Sequence, residues 1–252
     1  MGALCASAFA LSACATRVDI NGFEPTATGG APLSVAAALD CPVTQGQLAR
    51  VSQADDGLSC EYQGPVGETV QLRLVPLEGR LATDVLEPAR AELRTLVPLT
   101  LSRPGRVTKD EPGEHTNIDM PFFHIHTAGD HADLKVFGVT VLSAGENAEV
   151  KTHVGGVHTV VHASPSGAEV ITEDVGRTNT SLVYVLASEK GSPSGYRAVG
   201  LVARGPAAGP LVVGEFRAPG QAGSAYHEDG KTGFHSHVDN DLERLINLNL
   251  KS

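Results

Sequence analysis

Three histidines fall within the stretch Phe123-His124-Ile125-His126-Thr127-Ala128-Gly129-Asp130-His131, and His115 lies a few residues upstream. Neutral imidazole is the commonest transition-metal ligand, and a His-x-His pair on a strand puts two rings on one side of it. Zinc or copper is what such a set would hold, with His115, His124, His126 and His131 as ligands. His153, His158 and His162 add imidazoles nearby, and His235-Ser236-His237 repeats the His-x-His form near the end of the chain. Against this reading, no His-Glu-x-x-His motif occurs and no compact ligand set fixes a coordination geometry. Strand histidines that simply face solvent are the alternative.

Covalent catalysis has less to stand on. Gly-x-Ser-x-Gly, a P-loop and a Gly-x-Gly-x-x-Gly after a strand are all missing from the sequence. Ser-Pro-Ser-Gly occurs at 164–167 and again at 192–195, and both copies read as turns. The expectation is a chain that is not an enzyme. An envelope hydrolase would need a hydrogen-bonded nucleophile and base that spacing alone does not supply.

The elements that position the histidines follow from a repeat. Counted in steps of sixteen from Gly113, the chain places Gly113, Gly129 and Gly145 at turns, each followed by an acid, Glu114, Asp130 or Glu146. Ile118, Leu134, Val150 and Val170 match as apolar positions, as do Ile125 and Val141. His115 and His131 occupy the same repeat position, while His124 and His126 share the face opposite Ile125. Gly-punctuated alternation of this kind is the mark of stacked β-units, two short strands to each step. A solenoid, with matching residues about 4.8 Å apart, is the expected geometry; an antiparallel meander, at about twice that, is its alternative. The repeat resembles the short-repeat β-solenoid domains of bacterial surface adhesins over about seventy residues.

The N-terminus, MGALCASAFALSACATR, is an apolar run of small residues ending in Leu11-Ser12-Ala13-Cys14. It resembles a bacterial lipoprotein signal, although the basic residue that ordinarily opens one is missing. The resemblance implies cleavage before Cys14, acylation of its thiol, and attachment to the membrane. Each buried methylene of the acyl chains is worth about 0.8 kcal/mol. Ala15 in place of an Asp implies the outer membrane, with the protein facing the periplasm. Cys5 lies in the leader, which leaves Cys41 and Cys60, most simply a disulfide in an exported chain. A net charge of −10 over 252 residues argues against a nucleic-acid partner, which demands clustered Lys and Arg.

Four segments follow: 1–14 a lipoprotein signal, 15–33 a flexible tether, 34–104 an α+β region, and 105–252 a β-rich repeat region with a C-terminal helix. Within them, SVAAALD reads as a short helix capped by Ser34. LARVSQ, ADDG and LSCEYQ read as a hairpin, with TVQLRLVPL as the next strand. DVLEPARAELRTLV is amphipathic, with Val85, Ala89, Leu93 and Leu96 on one stripe and its regular part beyond Pro88. SLVYVLAS, YRAVGLVARG and LVVGEFRA read as mostly buried antiparallel strands, and QAGSAYHEDGKTGFHSH as an exposed loop. The last helix, VDNDLERLINLNL, has Asp239 or Asn240 as cap and buries Leu242, Leu245, Ile246 and Leu248.

The expected fold is mainly β with minor α: a small disulfide-linked α+β region, then a solenoid or meander, closed by a C-terminal helix. The expected role is a non-enzymatic, lipid-anchored cell-envelope structural or interaction protein, held by its anchor and working through an envelope protein partner. The alternative is a periplasmic zinc- or copper-binding protein that uses the repeat-region histidines.

Overall fold

The computed structural model describes the backbone at 18–20, 31–99, 115–120, 123–128, 131–136, 139–144, 148–154, 156–164, 167–188, 191–219 and 238–251. Side chains are described at 31–99, 151, 156–162, 167–188, 191–219 and 240–251. In chain order the elements begin β1 (Val18–Ile20), β2 (Ser34–Val35), β3 (Thr44–Gln45), β4 (Leu48–Gln53), β5 (Ser59–Gln63), β6 (Thr69–Val75) and α1 (Ala82–Leu96). The repeat region supplies β7 (His115–Met120), β8 (Phe123–Ala128), β9 (His131–Val136), β10 (Val139–Ala144), β11 (Ala148–Val154), β12 (Val157–Ser164) and β13 (Gly167–Val175). The chain ends with β14 (Asn179–Ser188), β15 (Tyr196–Pro206), β16 (Leu211–Pro219), α2 (Val238–Leu248) and β17 (Leu250–Lys251).

The apolar runs after the repeat form the middle of a ten-stranded antiparallel sheet, ordered β11-β12-β13-β14-β15-β16-β6-β5-β4-β3. β14 shows why these runs are continuous rather than alternating. Leu182, Tyr184 and Leu186 are buried on one face, and Val183, Val185 and Ala187 on the other. The sheet is open, with β11 at one edge and β3 at the other. β16 pairs with β6, so residues from 34–104 and from 105–252 share one sheet.

Helix α1 covers one face, where Leu86 and Leu93 pack over Leu182, Tyr184, Leu186, Val199, Leu201 and Val213. It starts earlier than expected and runs through Pro88. The proline removes one helical hydrogen bond, to the carbonyl of Asp84, and the burial of Leu86 at 1 % exposure on that first half offsets the loss. Helix α2 covers the other face with Leu242, Leu245 and Ile246, while Leu248 is exposed, contrary to expectation. A Cβ on Gly214 of β16 would collide with Leu242, so the close approach of α2 requires a glycine there. Asp239 and Asn240 lie inside α2 rather than capping it. Asp241, also in its first turn, accepts the backbone N–H of Gln47 at 2.7 Å and thereby fixes the Gly46-Gln47 turn of the β3–β4 hairpin.

Cys41 and Cys60 form a disulfide, buried in this second core beside Leu39, Leu48 and Tyr62. The expected Ser34 helix is not formed. Ser34 and Val35 instead pair as a strand with Lys251 and Leu250, because the chain end offers backbone partners there. Among the described residues no helix is long and apolar enough to cross a membrane.

The repeat strands form an antiparallel meander and not the preferred solenoid. β7 to β10 lie side by side in a second, five-stranded sheet, ordered β1-β10-β9-β8-β7. Successive strands pair antiparallel in one sheet, so matching repeat positions fall two strands apart rather than stacking on adjacent coils. His115 and His131 illustrate this, for both are register partners of Ala128. The outer edge of β10 is taken by Val18–Ile20, which lie within the segment expected to be a tether.

Candidate functional site

Two places gather chemistry-bearing residues: the interface between α1 and the large sheet, and one face of the five-stranded sheet.

Under α1, strand alternation puts His162, Glu169 and Tyr184 on the covered face. The Tyr184 hydroxyl donates to Glu169 Oε1 at 2.9 Å, and the other carboxylate oxygen, Oε2, lies 3.2 Å from His162 Nδ1. Arg94 Nε donates to the Tyr184 hydroxyl at 3.2 Å, while the Arg90 guanidinium sits 5.0 Å from the centre of the Tyr184 ring. Burial, reinforced by the Glu169 charge, holds the Tyr184 phenol well above its ordinary pKa, so it remains a neutral donor. On the opposite flank of α1, Arg217 Nη2 bridges Glu92 at 2.8 Å and the buried Glu215 at 2.7 Å, and Arg73 lies 3.6 Å from Glu215. Burial works against the Arg217 charge, but its two carboxylate partners outweigh it and leave the guanidinium above its usual pKa. Both groups tie helix to sheet. What they can do chemically is satisfy buried charges and fix the seat of α1.

The five-stranded sheet is different, because its register sorts residue types cleanly. Val18, Val141, Leu134, Ile125 and Ile118 form one row of partners across all five strands. Ile20, Val139, Val136, Phe123 and Met120 form a second, two residues along. Alternation assigns both rows to one face. The other face carries three rows: Asp19, Thr140, Lys135, His124 and Asp119; then Leu142, Asp133, His126 and Asn117; then Ala144, His131, Ala128 and His115.

All four expected metal ligands therefore share one face by register. Their side chains lie outside the described residues, as do Cys14, most of 15–33, and His235 and His237. His153 pairs in register with His158 on the large sheet, away from that set. Among the described side chains no group of three His, Cys, Asp or Glu is arranged to hold a metal. The sequence reading missed Asp119 and Asp133 as neighbours of the histidines, which the register of β7, β8 and β9 places opposite His124 and His126. It also missed the Tyr184 network, which joins residues of α1, β12, β13 and β14 that no local spacing links.

No protein-family model, curated protein or solved structure matches the chain.

Proposed function

We propose that this is an exported, non-enzymatic protein, anchored by lipid on Cys14, that presents the five-stranded sheet to another component of the cell envelope. The observation that carries the reading is the pair of apolar rows running through Ile125 and Phe123. Ten apolar residues in two rows across five strands fall on one face by register, and a sheet apolar on one face buries that face against another element. The Cys41–Cys60 disulfide supports export, because such bonds persist in oxidising compartments. The described charged groups around α1 engage one another, which fits structural duty better than turnover.

Site-specific photocrosslinking in intact cells tests the interaction. A photoreactive residue at 125, central in the apolar rows, is expected to give one discrete adduct with an envelope protein. The same residue at exposed Val175, on the large sheet, is expected to give none. Equal labelling at both positions, or none at 125, contradicts a partner on this face.

A further inference from the structure

We propose that β1 and β11 are alternative occupants of the outer edge of β10, and that exchanging them joins the two sheets into one. The backbone register carries this inference, because a single row of partners is interrupted at that edge. In the five-stranded sheet Ile118 pairs with Ile125, Ile125 with Leu134, and Leu134 with Val141. In the ten-stranded sheet Val150 pairs with Val161, Val161 with Val170, and Val170 with Val185. Ile118, Leu134 and Val150 are equivalent positions of the repeat, as are Ile125 and Val141. Since Ile125 pairs with Leu134, the same register one repeat later pairs Val141 with Val150. Val18 holds that place instead, with Asp19 opposite Thr140 and Ile20 opposite Val139. β1 also runs antiparallel to β10, as β11 would. Val18-Asp19-Ile20 thus stands where Val150-Lys151-Thr152 would lie.

The edges and chain lengths favour such an exchange. β11 is the terminal strand of its sheet, so the edge that would meet β10 carries no strand among the described residues. Only residues 145–147 separate β10 from β11, and pairing these two strands closes a short loop. β1 meets β10 across residues 21–138, and it is three residues long against seven for β11. Loop-closure entropy and strand length both make β1 the weaker-held occupant. A strand edge that it leaves is a template for the next strand to arrive.

The consequence for tethering rests on the proposed lipid at Cys14. With β1 in place, residues 15–17 alone lie between the anchor and the sheet, a reach of about 14 Å at full extension. With β11 in its place, the whole of 15–33 is tether, a reach of about 70 Å to Ser34. The exchange would therefore set how far from the membrane the protein works.

Disulfide trapping in the full chain tests the exchange, with Cys5→Ser and Cys14→Ser so that the introduced thiols are the only free ones. Omitting the lipid makes the outcome independent of anchoring, which the mature N-terminus reports separately. Residues directly opposite on paired strands lie within disulfide reach. Asp19→Cys/Thr140→Cys therefore traps β1 on β10, and Thr140→Cys/Lys151→Cys traps β11 there. Under brief oxidation the first pair is expected to bridge readily and the second to give a low yield. Adding Val18→Pro/Asp19→Pro to the second pair should raise its yield at least about threefold, because one of two adjacent N–H groups must point at β10. Replacing Val18–Ile20 by Gly-Ser-Gly should do the same without proline, and an unchanged urea midpoint shows that the large sheet stays folded. A yield for the second pair that rises in neither background overturns the proposal. So does a first pair that fails to bridge.

Discussion

The side-chain amide of Asn249 grips the backbone of Asp40 from both directions: Oδ1 accepts the Asp40 N–H at 2.7 Å, and Nδ2 donates to the Asp40 carbonyl at 3.1 Å. The two residues are 209 positions apart in sequence, so the end of α2 is stapled to the segment leading into the disulfide. Asn249 is only 4 % exposed, and its loss would leave two backbone groups at Asp40 without these partners. Asn249→Ala is expected to cost about 1–3 kcal/mol, read as a lower urea midpoint with an unchanged slope. An unchanged midpoint would mean that water replaces the amide without cost.

The Cys41–Cys60 bridge closes a loop with a sequence separation of 19. The chain-entropy estimate for such a loop is about 3 kcal/mol. The Cys41→Ala/Cys60→Ala double variant should unfold at correspondingly lower denaturant, with its loss matched by reduction of the wild type. If reduction leaves the midpoint in place, the bridge does not constrain the unfolded chain.

Helix α2 and β16 meet where Gly214 has no side chain to hold them apart. Gly214→Val should overpack against Leu242 and cost about 1–3 kcal/mol. Combining it with Leu242→Ala should recover part of that loss, since the two changes share one space. Strict additivity of the two costs would show that the contact is not the cause.

Two buried tyrosines hold their protons more tightly in the folded chain than in water. Burial pushes Tyr62 up to about 12 from an ordinary 10.0, and Tyr184 is raised further still by burial and by Glu169. Both keep their protons longer in the folded state than in the unfolded one. Their contribution is therefore complete below pH 10.0 and is lost as the pH rises from there through the folded-state values. Tyr184→Phe removes the larger shift, so its stability should fall less steeply above about pH 10 than that of the wild type. Parallel curves for the two proteins would remove Tyr184 from the account.

Much of the fold was legible because strand periodicity and turn chemistry are local. The β4–β5 hairpin, the buried strands β14 to β16 and the disulfide all follow from short stretches of sequence. What escaped was settled by distant parts of the chain. Ser34-Val35 has the local cues of a helix start, yet Leu250-Lys251 offers a strand partner. The stripe chosen for α1, Val85, Ala89, Leu93 and Leu96, omitted the buried Leu86, and Pro88 suggested that the regular part came later, whereas packing against Leu182 and Leu201 carries the helix across the proline. The same holds for the histidine face. Repeat spacing placed His115 and His131 at equivalent positions, but only register shows that Ala128 lies between them and that Asp133 stands beside His126.

The anchored, exported state underlies the proposed role most directly, and the mature N-terminus of the protein recovered from cell membranes reports it. Mass spectrometry is expected to find a chain beginning at Cys14 and carrying acyl groups, with Cys14→Ser shifting the protein out of the membrane fraction. A mature chain that retains Met1, or a Cys14→Ser variant that stays with the membrane, would contradict the account.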